Sequence, residues 1–318
     1  MNANTLRYTL VGVGFAVAVA SSANAMSAVL PEAVIAPVGA GTSSIASPIF
    51  DINIVFGGGL TSSQQAVFTA AEYFWESMIT GYQIAFTDGS SLVTGPTITA
   101  QGAAIDGAGG TNGNVLGQAG PNTAYVVSDG TNSFAYTATG TMTFDTYDLP
   151  DMEASGTFFD VIVHEMGHVL GFGTLWNTNS FGGVFAGTQS VYTNGTGQYT
   201  GAYGVTAYNA EFGNTDAFVP VELDGGTGTA NGHWDEVNFA GGSLDLMTGF
   251  IGSPNGSADA PFAAVTLSAT TIASFADIGY TTVVTHAIAP VPLPAGLGLG
   301  LMALGGLFGV TRRRKGAV

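Results

Sequence analysis

Between Met26 and Pro290 the chain contains no lysine, no arginine and no cysteine. A fold made from that stretch has no Lys or Arg salt bridge and no disulfide, so an apolar core or a metal ion has to hold it. All 22 acidic residues of the 318-residue chain lie inside it, from Glu32 to Asp277, and the five basic residues sit at the ends: Arg7, then Arg312, Arg313, Arg314 and Lys315. A uniformly acidic domain is unsuited to nucleic acid or anionic lipid, which both require a basic face. Cations are its natural counter-ions, and added salt or calcium is expected to raise its melting temperature by screening self-repulsion.

Both ends read as addresses. Arg7 precedes an apolar run from Val11 to Ala20, and Ala23, Asn24 and Ala25 then offer the small residues a signal peptidase accepts, so residues 1–25 are expected to be a signal peptide. At the other end, Val291 to Ala295 form a Pro-containing motif, followed by an apolar segment to Val310 and the basic cluster. As a helix, residues 293–310 would span roughly 27 Å, enough for a bilayer core, with the basic end on the cytoplasmic side. This three-part tail, residues 291–318, resembles the exosortase sorting signals of Gram-negative surface proteins (PEP-CTERM-like, in the Val-Pro-Leu-Pro-Ala variant). The resemblance implies a temporary anchor cut off by that machinery; a permanent transmembrane anchor is the alternative. The expected location is the cell surface or the extracellular space.

Residues 26–49 read as a linker or short pro-segment, 50–283 as one domain, and 284–290 as a linker to the tail. Phe50 to Phe56 alternates as a strand. Thr61 and Gln64 have capping-box spacing before a helix whose buried face is read as Val67, Ala70, Ala71, Phe74 and Met78. Gly81 to Pro121 reads as loop with short strands, and Ala124 to Val127 and Gly140 to Asp145 as strands. A second helix starts near Ser155 or Thr157, packs Phe158, Val161, Ile162 and Val169 inward, and ends at Gly171. Gly173 to Gly232 reads as mostly loop or short strand, and a last helix covers Ser268 to Asp277.

The second helix carries the chemistry. His164 and His168 stand at i and i+4, so their imidazoles leave one face about a turn apart and can share a metal ion. Glu165 is rotated by about 100° from His164, within reach of a metal-held water but not of the metal itself. A catalytic zinc site needs a third protein ligand and an open position. In the short spacing of the motif that ligand would fall at position 174, which is Thr174. His233, His286, Glu211, Glu222 and Glu236 remain as candidates, His286 in the linker being the least suited.

Taken in order, His164 to Trp176, Gly232 to Glu236, Leu246 to Gly249 and Thr271 to Thr281 resemble the leishmanolysin family of metzincin zinc peptidases. The resemblance spans most of residues 50–283. It implies an α+β fold with a twisted mixed sheet, a zinc-binding helix, a long loop insertion, and a C-terminal helix after a methionine turn. It also implies that His164, His168 and His233 bind Zn2+, that Glu165 is the general base, that Met247 is the turn methionine, and that Gly171 lets the chain turn beneath the metal. Three neutral imidazoles leave zinc its full charge to acidify water and polarise a peptide carbonyl. Gly140 to Asp145 would be the edge strand on which an extended peptide lies. The protozoan members carry disulfides and a cysteine for latency, which this chain lacks.

The expectation is therefore an exported zinc metalloendopeptidase acting on proteins or peptides. Its rival is a non-proteolytic zinc-binding surface or matrix protein on the same fold, against which the intact Glu165 argues. Calcium is a further candidate cation, through the oxygens of Asp224 to Asn231, although a plain flexible loop is the simpler reading of that stretch.

Overall fold

The structure is a computed structural model and describes residues 6–9, 15–19, 50–107, 114–242, 245–249 and 266–284. The chain divides into a unit of Met1–His286 and one of Ala287–Val318, the second wholly outside the described residues. Among the described residues no helix is long and apolar enough to cross a membrane, and the expected span at 293–310 lies outside them.

Two short strands come first, β1 (Leu6–Thr9) and β2 (Phe15–Val19), inside the expected signal segment. The next strand, β3, runs from Asn53 to Gly58, three residues later than the alternation suggested at its start. Helix α1 (Ser62–Met78) begins at the expected capping box: Gln64 N–H donates to Thr61 Oγ1 (3.3 Å), and Thr61 N–H to Gln64 Oε1 (2.8 Å). Its buried face is one step round from the expected one, on Gln64, Phe68, Ala71 and Trp75, with Val67, Phe74 and Met78 half-buried and Ala70 exposed. The two bulkiest side chains decide this, and Trp75 also donates its indole N–H to the Val163 carbonyl at 2.9 Å.

Beyond α1 come β4 (Ile79–Tyr82), the small hairpin β5 (Thr87–Asp88) and β6 (Ser91–Leu92), and β7 (Thr97–Ala103). A long hairpin of β8 (Asn114–Ser128) and β9 (Ser133–Asp145) follows. Helices α2 (Leu149–Ser155) and α3 (Phe158–Leu170) then lead to a segment with little regular structure. The exceptions there are α4 (Ala202–Phe212), a helix where loop or short strand was expected, and the short pair β10 (Gln198–Tyr199) and β11 (Val219–Pro220). Helix α5 (Ala269–Asp277) starts one residue after the expected Ser268, which caps it instead, and ends beside β12 (Tyr280–Thr282), which pairs with β4.

The result is an α+β fold on a mixed sheet ordered β1-β8-β9-β7-β3, with β2 also on β8. Strands β3, β7 and β9 run parallel, and β8 is antiparallel to β9. This corrects one expectation: Gly140 to Asp145 is not an edge, because β9 lies between β8 and β7, which pairs with it from Thr97 to Ala103. At that end of the sheet β1 and β2 pair along the outer side of β8.

Helix α3 packs between this sheet and α1. Val161, Ile162, Val163, Met166, Val169 and Leu170 are all buried, each worth about 1.5–3 kcal/mol relative to exposure. Packing on both faces therefore outweighs the cost of the polar residues the helix also buries. Gly140 allows the close approach, since a Cβ there would lie 2.3 Å from Val169 Cγ1, and Thr137 Oγ1 donates to the Val169 carbonyl at 2.6 Å.

Candidate metal centre

Helical spacing places His164 Nε2 and His168 Nε2 2.9 Å apart. His233 Nε2 reaches the same point from the irregular segment, 3.1 Å from His164 Nε2 and 2.9 Å from His168 Nε2. Each ring's other nitrogen faces a main-chain carbonyl: His164 Nδ1 meets Leu246 O (2.6 Å), His168 Nδ1 meets Phe172 O (3.0 Å), and His233 Nδ1 meets Thr229 O (2.7 Å). A carbonyl only accepts, so each neutral ring carries its proton on Nδ1 and turns a bare lone pair inward from Nε2. Three lone pairs aimed at one another repel unless a cation shares them. The donor set therefore fits a metal ion, and neutral imidazoles suit zinc. Tetrahedral zinc with bonds of about 2.0–2.1 Å sets its ligand nitrogens roughly 3.3 Å apart, so the rings need open by only a few tenths of an ångström.

All three histidines are fully buried. Burial, and then the charge of the neighbouring rings, holds the imidazoles of His164 and His168 well below the usual value. Burial brings His233 down to about 4. All three thus stay neutral, ready to ligate, well into the acid range.

Glu165 is fully buried as well. It faces β8 at Gly117, where a Cβ would lie 2.9 Å from Glu165 Oε1 and 3.1 Å from its Cγ, so the absence of a side chain on that strand makes room for the carboxylate. Met247 lies under the helix between the two ligating turns, its Cε and Sδ 3.0 and 3.1 Å from where a Cβ on Gly167 would be. Gly171 ends α3 at φ 121°, a conformation that side chains resist, and Ile278 and Leu175 fill the space where a Cβ would go. Thr174, at the position a third histidine takes in the short motif, donates to the His168 carbonyl instead at 2.7 Å.

Neighbours that the motif does not name hold His233 and Met247 in place. Trp234 is fully buried, stacks on Trp176 and Phe239, and donates its main-chain N–H to the Met247 carbonyl (3.0 Å) and its indole N–H to Thr271 Oγ1 (2.7 Å). Asp245, also buried, accepts from the N–H groups of Met247 (2.8 Å) and Ser268 (3.0 Å) and from Thr271 Oγ1, tying the methionine turn to α5. Sequence marks them only by position: Trp234 follows His233, and Asp245 stands two residues before Met247.

The remaining candidates fall elsewhere. Glu211 accepts from the first N–H groups of α5. Glu222 and Glu236 are buried but stand outside the histidine group, and burial first, with Glu222 beside it, raises the Glu236 carboxyl. His286 lies outside the described residues. In the loop Asp224 to Asn231, considered for calcium but read more simply as a plain loop, the Asn231 side-chain oxygen is taken by Tyr192 Oη (2.7 Å) and Gly195 N–H (2.6 Å), and Asp224 belongs to neither metal-competent cluster among the described residues.

Comparison of the chain with models of known protein families, with curated proteins and with solved structures found no match.

Proposed function

We propose that the chain is an exported zinc metalloendopeptidase of the metzincin type. One observation carries the reading: three imidazoles, each held by a carbonyl at Nδ1, converge through Nε2 beside a buried glutamate and above a methionine. The metzincin type is favoured by the place of His233, far along the chain from the helix, and by Met247 packed beneath it. Bound zinc would supply a Lewis acid that polarises a peptide carbonyl and acidifies water. Glu165 would accept a proton from water at the site and return it to the leaving amine. The carbonyls of Leu246, Phe172 and Thr229 fix the rings and keep Nε2 unprotonated, and Gly117 leaves the carboxylate space to act.

The peptide lies extended along β8, whose backbone passes Glu165 at Gly117. In the full chain Val17 pairs with Gly117 there. Removal of residues 1–25 by signal peptidase clears that edge, so export and exposure of the site are one event. The tail 291–318 then serves exosortase-type sorting as a transient anchor; a chain lacking it that reached the cell surface unchanged would refute that role.

The test is metal content measured together with cleavage of a peptide mixture by the chain starting at Met26, before and after chelation. One zinc per chain is expected, with cleavage lost on its removal and restored on its return. Undiminished cleavage by the stripped protein would overturn the reading.

A further inference from the structure

A second cluster of ligating groups lies away from the histidines. Asp106, Asp145 and Asp148 each offer a carboxylate oxygen, all within 4.8 Å of one another. Asp106 follows β7 and is exposed, whereas Asp145 ends β9 and Asp148 precedes α2, both buried. The cluster thus joins the ends of two central strands to the segment that leads into the zinc helix.

Carboxylates often gather around main-chain N–H groups, and Asp145 does so: its Oδ2 accepts from Ile105, Asp106 and Gly107, and its Oδ1 from Tyr147. Asp106 Oδ2 accepts from Val115 N–H. Asp148 differs. It is 3 % exposed, and its Oδ2 is buried with no hydrogen-bond partner. A carboxylate oxygen buried that close to two other acids and given no donor is costly to keep. No lysine or arginine between Met26 and Pro290 exists to offset it. Burial, with Asp145, Asp106 and Asp151 around it, pushes the Asp148 carboxyl up to about 6, so at neutral pH it is ionised at a cost.

We infer that Asp106, Asp145 and Asp148 bind a calcium ion. Hard oxygen donors with no nitrogen or sulfur among them suit calcium over zinc, and exposed Asp106 leaves one side open to the waters that complete a coordination of six to eight. Magnesium suits the site less, because it demands octahedral geometry and sheds water reluctantly. The ion would fasten the loop after β7 to the start of α2 and so brace the entry to α3. The site lies outside the Asp224 to Asn231 loop, and it does not depend on the peptidase reading.

The experiment titrates calcium into the zinc-loaded full-length chain in calcium-free buffer with about 0.15 M sodium chloride, following heat of binding and melting temperature, with magnesium as the control. Expected is one saturable calcium per chain, with a dissociation constant on the order of 10⁻⁴–10⁻³ M as in extracellular modules, and a rise in melting temperature that magnesium does not match. Asp148→Asn should weaken binding at least tenfold while melting at or above the wild type without calcium, because the unpartnered charge is gone. Asp106→Asn, at an exposed position where the amide oxygen can still accept from Val115 N–H, should also weaken it. Calcium and magnesium giving the same unsaturable shift would overturn the site, and so would calcium binding that survives both substitutions. Should Asp148→Asn fail to fold, undiminished binding by Asp106→Asn decides against it alone.

Discussion

Gly117→Ala tests the placement of Glu165 by changing a single methyl group. The backbone at Gly117 is not left-handed, so alanine fits the strand, and its Cβ would stand 2.9, 3.1 and 3.2 Å from Oε1, Cγ and Cδ of Glu165. Ordinary contact distances are about 3.5–4.0 Å, so the carboxylate has to retreat by roughly 0.5–1 Å. Misplacement of a reacting group by about 1 Å costs on the order of 10²-fold in rate. The histidines are not touched. The expected outcome is a fall of about a hundredfold in kcat/KM for peptide cleavage with zinc content unchanged, both measured on the same preparation of the chain from Met26. Activity within twofold of the wild type would refute the argument that β8 leaves this space for the base.

Further predictions concern the metal and the core. His233→Ala should abolish stoichiometric zinc at neutral pH; retained zinc would show that another group is the third ligand. Because burial keeps the three imidazoles neutral, zinc binding at pH 6.0 should release almost no proton from them, where ordinary histidines would release about two. Calorimetry in buffers of different ionisation enthalpy reads this directly, and a release near two would contradict the depressed values. Met247→Ala should cost about 2–5 kcal/mol in chemical denaturation and Met247→Leu under about 1.5 kcal/mol, since the side chain is fully buried against α3; equal costs would argue against a packing role. Burial pushes Asp160, in the first turn of α3, from 3.8 up to about 6. The folded chain therefore holds that proton more tightly, and stability falls as pH rises from about 4 to 6, by at most ~3 kcal/mol. The opposing helix-dipole gain is smaller, about 0.3–1 kcal/mol. Asp160→Asn should accordingly raise the melting temperature at pH 7.5 and leave it unchanged at pH 4, and a lower value at pH 7.5 would be the contrary result.

The elements that could be read from sequence are those fixed by contacts close in the chain. The Thr61–Gln64 box set the start of α1, the last helix fell within one residue of Ser268 to Asp277, and the four-residue spacing of His164 and His168 placed both rings on one face. Helix α4 could not be read in this way. It is bounded by Gly201 and Gly213, and its first N–H groups, of Tyr203 and Gly204, are capped by Asp277, far along the chain. Short strands were expected between Gly81 and Pro121, but the bounds of β7 were not legible, because its Thr- and Gly-rich sequence gains its place only between β3 and β9, and the same pairing made β9 internal. The acidic cluster at Asp106, Asp145 and Asp148 joins residues that only the folded sheet brings together.

The most direct test of the central claim is peptide release from a mixture of unlabelled proteins by the zinc-loaded chain starting at Met26, beside its Glu165→Gln variant with the same zinc content. Release by the wild type, and its loss in the variant, is the predicted result. Equal release by both would contradict Glu165 as the base, and release by neither, with zinc bound, would contradict the peptidase itself.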